Sequence, residues 1–173
     1  MCSSDPTKQL KIETVSVTTP VATTTGQKIS EPLPLIVPIL RAGLGFLAPA
    51  QQLLPAADIG FIGIARNEET HEPEPYVNKL PDNIAERPVI VVDPMLATGG
   101  SLIHTLELLV ERGARQPMTV ICALCAPEGI AAVEACGIDV TLFTAAVDER
   151  LNDQAFIVPG LGDAGDRQFG APA

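Results

Sequence analysis

The chain has no tryptophan, one tyrosine and five phenylalanines. An interior built on aromatic stacking is thereby excluded, and valine, leucine, isoleucine and alanine must fill the core. Basic charge is scarce too: 11 Lys and Arg stand against 21 Asp and Glu, a formal net charge of −10. That balance argues against a general nucleic-acid or anionic-membrane surface. It also requires any phosphate site to be locally basic, which draws attention to the few arginines in loops. No apolar run is long enough to span a bilayer as a helix. The start, Met1-Cys2-Ser3-Ser4-Asp5-Pro6, lacks the basic and apolar pattern of a signal segment. The expectations are no nucleic-acid partner, no membrane, and a cytoplasmic location. The four cysteines do not make a disulfide framework. Cys122 and Cys125 form a Cys-x-x-Cys pair, a spacing that redox or zinc chemistry can use. Both lie in an apolar run, 118–126, that reads as a central strand, and no second Cys/His pair is placed for zinc. Buried structural cysteines are the better reading, and Cys136 receives the same one.

What is present fits one α/β domain over residues 1–173. Apolar residues make up 46% of the chain, enough for a sizeable core. Periodicity predicts an exposed, alternating strand over 11–18. An apolar run over 33–40 is interrupted by prolines, and a helix follows over 43–54. A strand over 58–65 precedes a proline- and acid-rich stretch, 70–81, that reads as an extended loop or projecting hairpin. A buried strand over 89–92 is followed by a helix over 102–112, which Gly113 ends. Then come a strand over 120–126, a helix over 128–136 and a strand over 140–145. Alternating strands and helices predict a mostly parallel central sheet with helices on both faces. Residues 14–25 are rich in threonine but form no low-complexity tract.

The segment Val89 to Ser101 carries the most chemical information. An apolar strand ends in Asp93, a short loop follows, and Thr98-Gly99-Gly100-Ser101 opens the next helix. Unpaired N–H groups and the macrodipole make a helix N-terminus an anion site. Glycines let the backbone approach phosphate oxygens, and the Thr98 and Ser101 hydroxyls can add hydrogen bonds. Asp93, at the carboxyl end of its strand, can accept from sugar hydroxyls. By itself Thr-Gly-Gly-Ser fits a plain βα turn with Ser101 as N-cap. The strand and acid before it shift the reading towards a phosphorylated sugar.

Four segments together resemble the uracil phosphoribosyltransferase family. They are Val37 to Gly45, Ala65 to Thr70, Asp93 to Ser101 and Ile157 to Asp166, in the family's order. The resemblance implies the phosphoribosyltransferase fold, with a C-terminal base-binding hood over 146–173. It implies transfer of phosphoribose from phosphoribosyl pyrophosphate (PRPP) to uracil, with Mg2+ held mainly through PRPP and water and no protein metal cage. It implies catalytic roles for Arg41, Asp93 and Asp163. PRPP would be held by Arg41, Arg66, Asp93, Pro94, Met95, Leu96, Ala97, Thr98, Gly99, Gly100, Ser101 and Asp163. Uracil would lie against Ile157, Gly162, Asp163 and Ala164, where exposed backbone groups can match its acceptor, donor, acceptor edge. A homodimer or higher homo-oligomer is expected, with GTP as a possible allosteric effector.

Arginine suits bidentate phosphate binding, and Arg41 stands at a helix start where a cation is locally unfavourable. Arg66 has a surface salt bridge with Glu68 or Glu69 as its ordinary alternative. His71 and His104 match no family role and read as surface or packing residues. Lys28, Glu68 and Glu69 read as solvated or interface charges. Residues 94–98 are the expected mobile part of the phosphate loop. Relatives usually carry a longer helical N-terminal segment, and they place glycine where Arg150 stands. A positive φ there would strain the arginine. A truncated or non-catalytic PRPP-binding paralogue and an RNA-binding pyrimidine regulator are the alternatives, the second disfavoured by the chain's acidity.

Overall fold

The structure, a computed structural model, describes residue 7 and residues 10–66, 73–115 and 117–170, without the side chains of 64–66 and 73–76. His71, Glu68 and Glu69 lie outside the described residues. Near the N-terminus β1 (Ile12–Thr18) and β2 (Thr23–Ile29) pair antiparallel as a separate hairpin. Thr19 shapes the turn. Its hydroxyl oxygen accepts from the Val21 and Ala22 N–H groups at 3.2 and 3.1 Å. Lys28 and Glu13 face each other across the ladder with a 2.9 Å ion pair on an exposed face. The second strand, rich in threonine, has no alternating apolar signal, because only Ile29 at its end packs against the core.

The main sheet contains β3 (Leu35–Leu40), β4 (Asp58–Ile59), β5 (Phe61–Arg66), β6 (Pro73–Lys79), β7 (Val89–Val92), β8 (Met95–Leu96), β9 (Met118–Cys125) and β10 (Val140–Val147). Its principal order is β10-β9-β7-β3-β5-β6, with β4 beside β3 and β8 beside β9. Every pairing is parallel except β5 with β6. Prolines 73 and 75 are tolerated in β6 because it is an edge strand, where a missing N–H need not break a ladder. The strand expected over 58–65 is divided at Gly60, whose N–H donates to Ile36 O at 2.9 Å.

The helices are α1 (Leu44–Leu53), α2 (Gly100–Glu111) and α3 (Pro127–Ala135). Alternate residues of the buried strands serve opposite faces. Leu35, Val37, Ile39, Val89 and Val91 pack with Leu102, Leu106 and Leu109 of α2. Ile36, Ile90 and Val92 pack on the other side with Phe46 and Ala50 of α1. Helices therefore cover both faces, as the pattern predicts. Beyond β10, β11 (Arg150–Leu151) pairs antiparallel with β12 (Ile157–Val158), and α4 (Ala164–Phe169) ends the described chain.

The strain anticipated at Arg150 is absent. Arg150 lies in β11 opposite Val158, and its guanidinium reaches Glu149 at 3.1 Å. The non-glycine residue with positive φ is instead Ala155, at 62°, among the described residues. The hairpin needs its left-handed residue in the connection between β11 and β12, not in the paired strand.

Candidate active site

Chain direction in the parallel sheet brings β3 and β7 to one edge side by side, with Leu35–Pro38 registered against Val89–Val92. The residues that follow them, Arg41 and Asp93, therefore open into one hollow. Gly43 makes this junction possible. A Cβ there would stand 2.6 Å from both the Ile39 and the Val92 carbonyl oxygens, so only glycine lets the turn press on β7. The hollow has a volume of about 430 Å³. Arg41, Asp93, Met95, Ala97, Thr98, Ser101, Ile157, Gly162, Asp163 and Ala164 of the expected set all line it. Residues Pro94, Leu96, Gly99 and Gly100 complete the adjoining loop. Leu96, Gly99 and Gly100 line a smaller recess of about 80 Å³ beside it.

The phosphate loop is built on backbone geometry. Gly99 has φ 87° and precedes α2, which begins two residues earlier than the sequence pattern suggests. The Ile103 N–H donates to Gly99 O at 2.8 Å, so the N–H groups of Gly100, Ser101 and Leu102 precede the first intrahelical bond. The Gly100 N–H reaches Thr98 Oγ1 at 3.4 Å. Pro94 O accepts from both the Ala123 and Leu124 N–H groups at 3.0 Å. Met95 and Leu96 pair with Leu124 and Cys125, and Leu96 is buried. This corrects the expected mobile stretch: residues 94–96 are tied to β9, and only Ala97 and Thr98 lack such anchors.

Asp93 follows β7 and accepts weakly from the Met95 N–H at 3.4 Å. Desolvation by surrounding protein raises its pKa from 3.8 to about 7, and that single bond opposes the shift. Cys122 and Cys125 lie behind it, both buried in the larger core cluster. The hydrogen bond between their thiols, burial and the nearby Asp93 push the Cys122 thiol far up, so it is a core thiol and not a nucleophile.

The hood comes from the C-terminal part of the chain. Ile157 is buried and lines the hollow. Asp163 caps α4, its Oδ1 accepting from the Asp166 N–H at 2.8 Å. Gly162 has φ 78°. Arg41 is engaged by this segment: Nη2 pairs with Asp166 Oδ1 at 2.7 Å, and Nη1 donates to Gly170 O at 3.2 Å. Arg66 ends β5, and its side chain lies outside the described part. His104, on α2, sits within 3.8 Å of Glu107 and outside the hollow. Sequence reading misses Gln154, Ala155 and Phe156, which line the hollow from the β11–β12 connection. No residue-type signal marks them, because an alanine in a left-handed conformation looks like any other alanine.

A larger hollow of about 550 Å³ lies at the opposite ends of β3, β7 and β9, among Lys11, Glu31, Arg87 and Arg115. It holds none of the motif residues, and its half-buried Arg87 pairs with Asp58 through Nη1 while Nε has no hydrogen-bond partner among the described residues. The hollow between Arg41 and Asp163 is therefore the candidate site.

Comparison with known proteins agrees with the geometry. A model of the uracil phosphoribosyltransferase family matches residues 3–171. The chain is 54% identical over 168 residues to a uracil phosphoribosyltransferase of Leifsonia xyli, covering 96% of this chain and 80% of the relative. It is 51% identical over 166 residues to one of Corynebacterium efficiens, covering 96% and 78%. The solved structure of the AQ2163 protein from Aquifex aeolicus superposes with a TM-score of 0.88 at 40% identity, over 96% of this chain and 79% of that one. A purine phosphoribosyltransferase from Pyrococcus horikoshii, at 17% identity and TM-score 0.52 over 67% and 69%, shares the fold alone. With the phosphate loop, the hood and these relatives in agreement, the chain belongs to the uracil phosphoribosyltransferase family.

Proposed function

We propose that this chain transfers the 5-phosphoribosyl group of PRPP to uracil, giving UMP and pyrophosphate. One observation carries the reading: a helix N-terminus suited to phosphate and a hood segment bearing Ile157, Gly162, Asp163 and Ala164 meet at one hollow. The 5′-phosphate sits on the N–H groups that open α2, and Asp93 accepts from the ribose hydroxyls. Arg41 and Arg66 bind the pyrophosphate end. Uracil lies under Ile157, Gly162, Asp163 and Ala164, where backbone groups read its edge and disfavour cytosine, whose donors are reversed. Its N1 attacks the anomeric carbon as the bond to pyrophosphate breaks, and the N1 proton passes to the departing pyrophosphate or to water. Holding the two reactants in line and compensating the leaving charge supply most of the acceleration.

The donor set favours Mg2+ brought in on the pyrophosphate. Asp93 and Asp163 line the hollow and Asp166 pairs with Arg41, so a polyanion needs a cation to enter. No three His, Cys, Asp or Glu side chains converge as ligands among the described residues. Asp163 has one carboxylate oxygen beyond its capping bond to offer the ion or its water. When bound, the ion would neutralise charge on the departing pyrophosphate.

Self-association is supported by Ile12, Val17 and Val21, apolar side chains exposed on the β1–β2 hairpin. Size-exclusion chromatography reads it directly. GTP as an effector rests on the family resemblance, and initial rates with and without GTP test it. No described helix is long and apolar enough to cross a membrane. A polyanionic substrate that cannot cross a bilayer unaided supports a cytoplasmic location.

The deciding experiment is UMP formation from uracil and PRPP with and without Mg2+, comparing the native chain with Asp163→Asn and Arg41→Ala. Magnesium-dependent turnover that falls in both variants is expected. A folded chain that binds PRPP without turnover would overturn the reading in favour of a non-catalytic binder.

A further inference from the structure

The first turn of α3 touches both halves of the site. On one side it lies beneath the phosphate loop. The Ala126 N–H donates to Leu96 O at 2.8 Å. Gly129 comes so close that a Cβ would collide with Ala97 O and stand 3.0 Å from Leu96 O. Gly99 in turn would meet the Gly129 carbonyl at 3.3 Å. On the other side, Glu128 Oε1 accepts from the Leu151 N–H at 2.9 Å. Leu151 pairs with Ile157, the residue whose backbone faces uracil in the reading above. The site itself leaves Glu128 unused, since it does not line the hollow.

We propose that Glu128 is a positioning residue, which fixes the uracil-reading hood to the helix that carries the phosphate loop and so sets the spacing between base and ribose. The proposal rests on the uracil phosphoribosyltransferase reading of the site. At this end the Asp148 N–H also ties the base of the hairpin to β9, donating to Cys125 O at 2.9 Å. Glu149 N–H to Val158 O and Asn152 N–H to Phe156 O lie inside the β11–β12 hairpin and cannot orient it. Asp148 holds the far turn through the Gly160 N–H at 3.0 Å. Among the described residues, the Glu128 bond is the hydrogen bond that runs from the hairpin to α3. Donation from the Leu151 N–H, then from its own backbone N–H, keeps the Glu128 carboxyl below its ordinary range, so it remains ionised at neutral pH.

The test compares Glu128→Ala and Glu128→Gln by steady-state kinetics and by titration with PRPP and with UMP. PRPP reads chiefly the cradle and meets the hood only at Asp163, while UMP places its base fully under the hood. In Glu128→Ala, KM for uracil and Kd for UMP should rise roughly threefold to tenfold, the size of one partly exposed charge-assisted hydrogen bond. Kd for PRPP should stay within about twofold, because no cradle contact is removed. Glu128→Gln keeps an acceptor oxygen and should recover most of the loss, although it too lacks the charge that favours a helix N-terminus. Amide exchange at Leu151 should quicken in Glu128→Ala and not at Ile103. An alanine variant that weakens PRPP and UMP equally, or a glutamine variant as impaired as alanine, would overturn the positioning role. If the native chain makes no UMP, the activity reading fails. UMP titration and Leu151 exchange then still decide the tie.

Discussion

Asp93 is the residue whose chemistry depends most on where the fold puts it. Burial lifts its pKa from 3.8 to about 7, so the folded chain holds this proton more tightly than the unfolded chain does. Its contribution to stability is full below about 3.8, falls as pH rises towards about 7, and is flat above that. Urea midpoints measured from pH 4 to 8 should decline across that window, and Asp93→Asn should flatten this part of the profile. Activity should run the other way. A carboxylate accepts from ribose hydroxyls better than a carboxylic acid, so kcat/KM for PRPP should rise through pH 7 and lose that limb in Asp93→Asn. Arg150 is governed by backbone geometry instead. Because it sits in a paired strand and not at positive φ, Arg150→Gly should destabilise by about 0.5–1 kcal/mol, the cost of glycine in regular structure. A more stable Arg150→Gly variant in thermal unfolding would contradict the extended geometry.

At the scale of elements, α2 and α3 act as a pair around the phosphate loop. Packing across Gly129 is too close for any side chain. Gly129→Ala should push Ala97 outward, weaken PRPP binding at least about tenfold and cost about 1–3 kcal/mol by overpacking. Gly137 supplies the comparison. It has φ 77° and nothing within 4 Å of where a Cβ would stand, so Gly137→Ala should cost about 1 kcal/mol in stability and leave PRPP titration unchanged. Equal effects on PRPP from both variants would mean that the loop does not lean on α3. Sequence pattern places these helices to within two residues, because each carries an apolar stripe over a buried strand. It does not reveal their contact, since Gly129 looks like an ordinary weak helix residue until Ala97 is seen above it. The α4 helix has six residues, too few for a periodic signal in the sequence.

Across the whole molecule, the sheet is a double-sided core that holds the site rigid from behind. Leu106 is fully buried between α2 and the strands. Leu106→Ala should cost about 2–5 kcal/mol by transfer and cavity terms, read as a lower urea midpoint. At temperatures where the variant remains folded, KM for both substrates should be little changed, because Leu106 lies outside the hollow. Ile12, Val17 and Val21 are exposed on the hairpin, as Leu53, Val147 and Phe169 are elsewhere.

The sequence by itself determined the order of the main strands and helices between β3 and β10 and the mostly parallel class of the sheet, and it marked the two segments, Asp93–Ser101 and Ile157–Asp166, that flank the hollow. Those features are written in local periodicity, in glycine placement and in acids at strand ends, all readable from neighbours along the chain. Only the tertiary structure decided that Arg41 meets Asp166, 125 residues away. It alone put Ala155 in the hollow at positive φ and Glu128 against the Leu151 N–H. Such contacts depend on the spacing of elements that the sheet brings together, and no local pattern encodes a distance between residues so far apart in sequence.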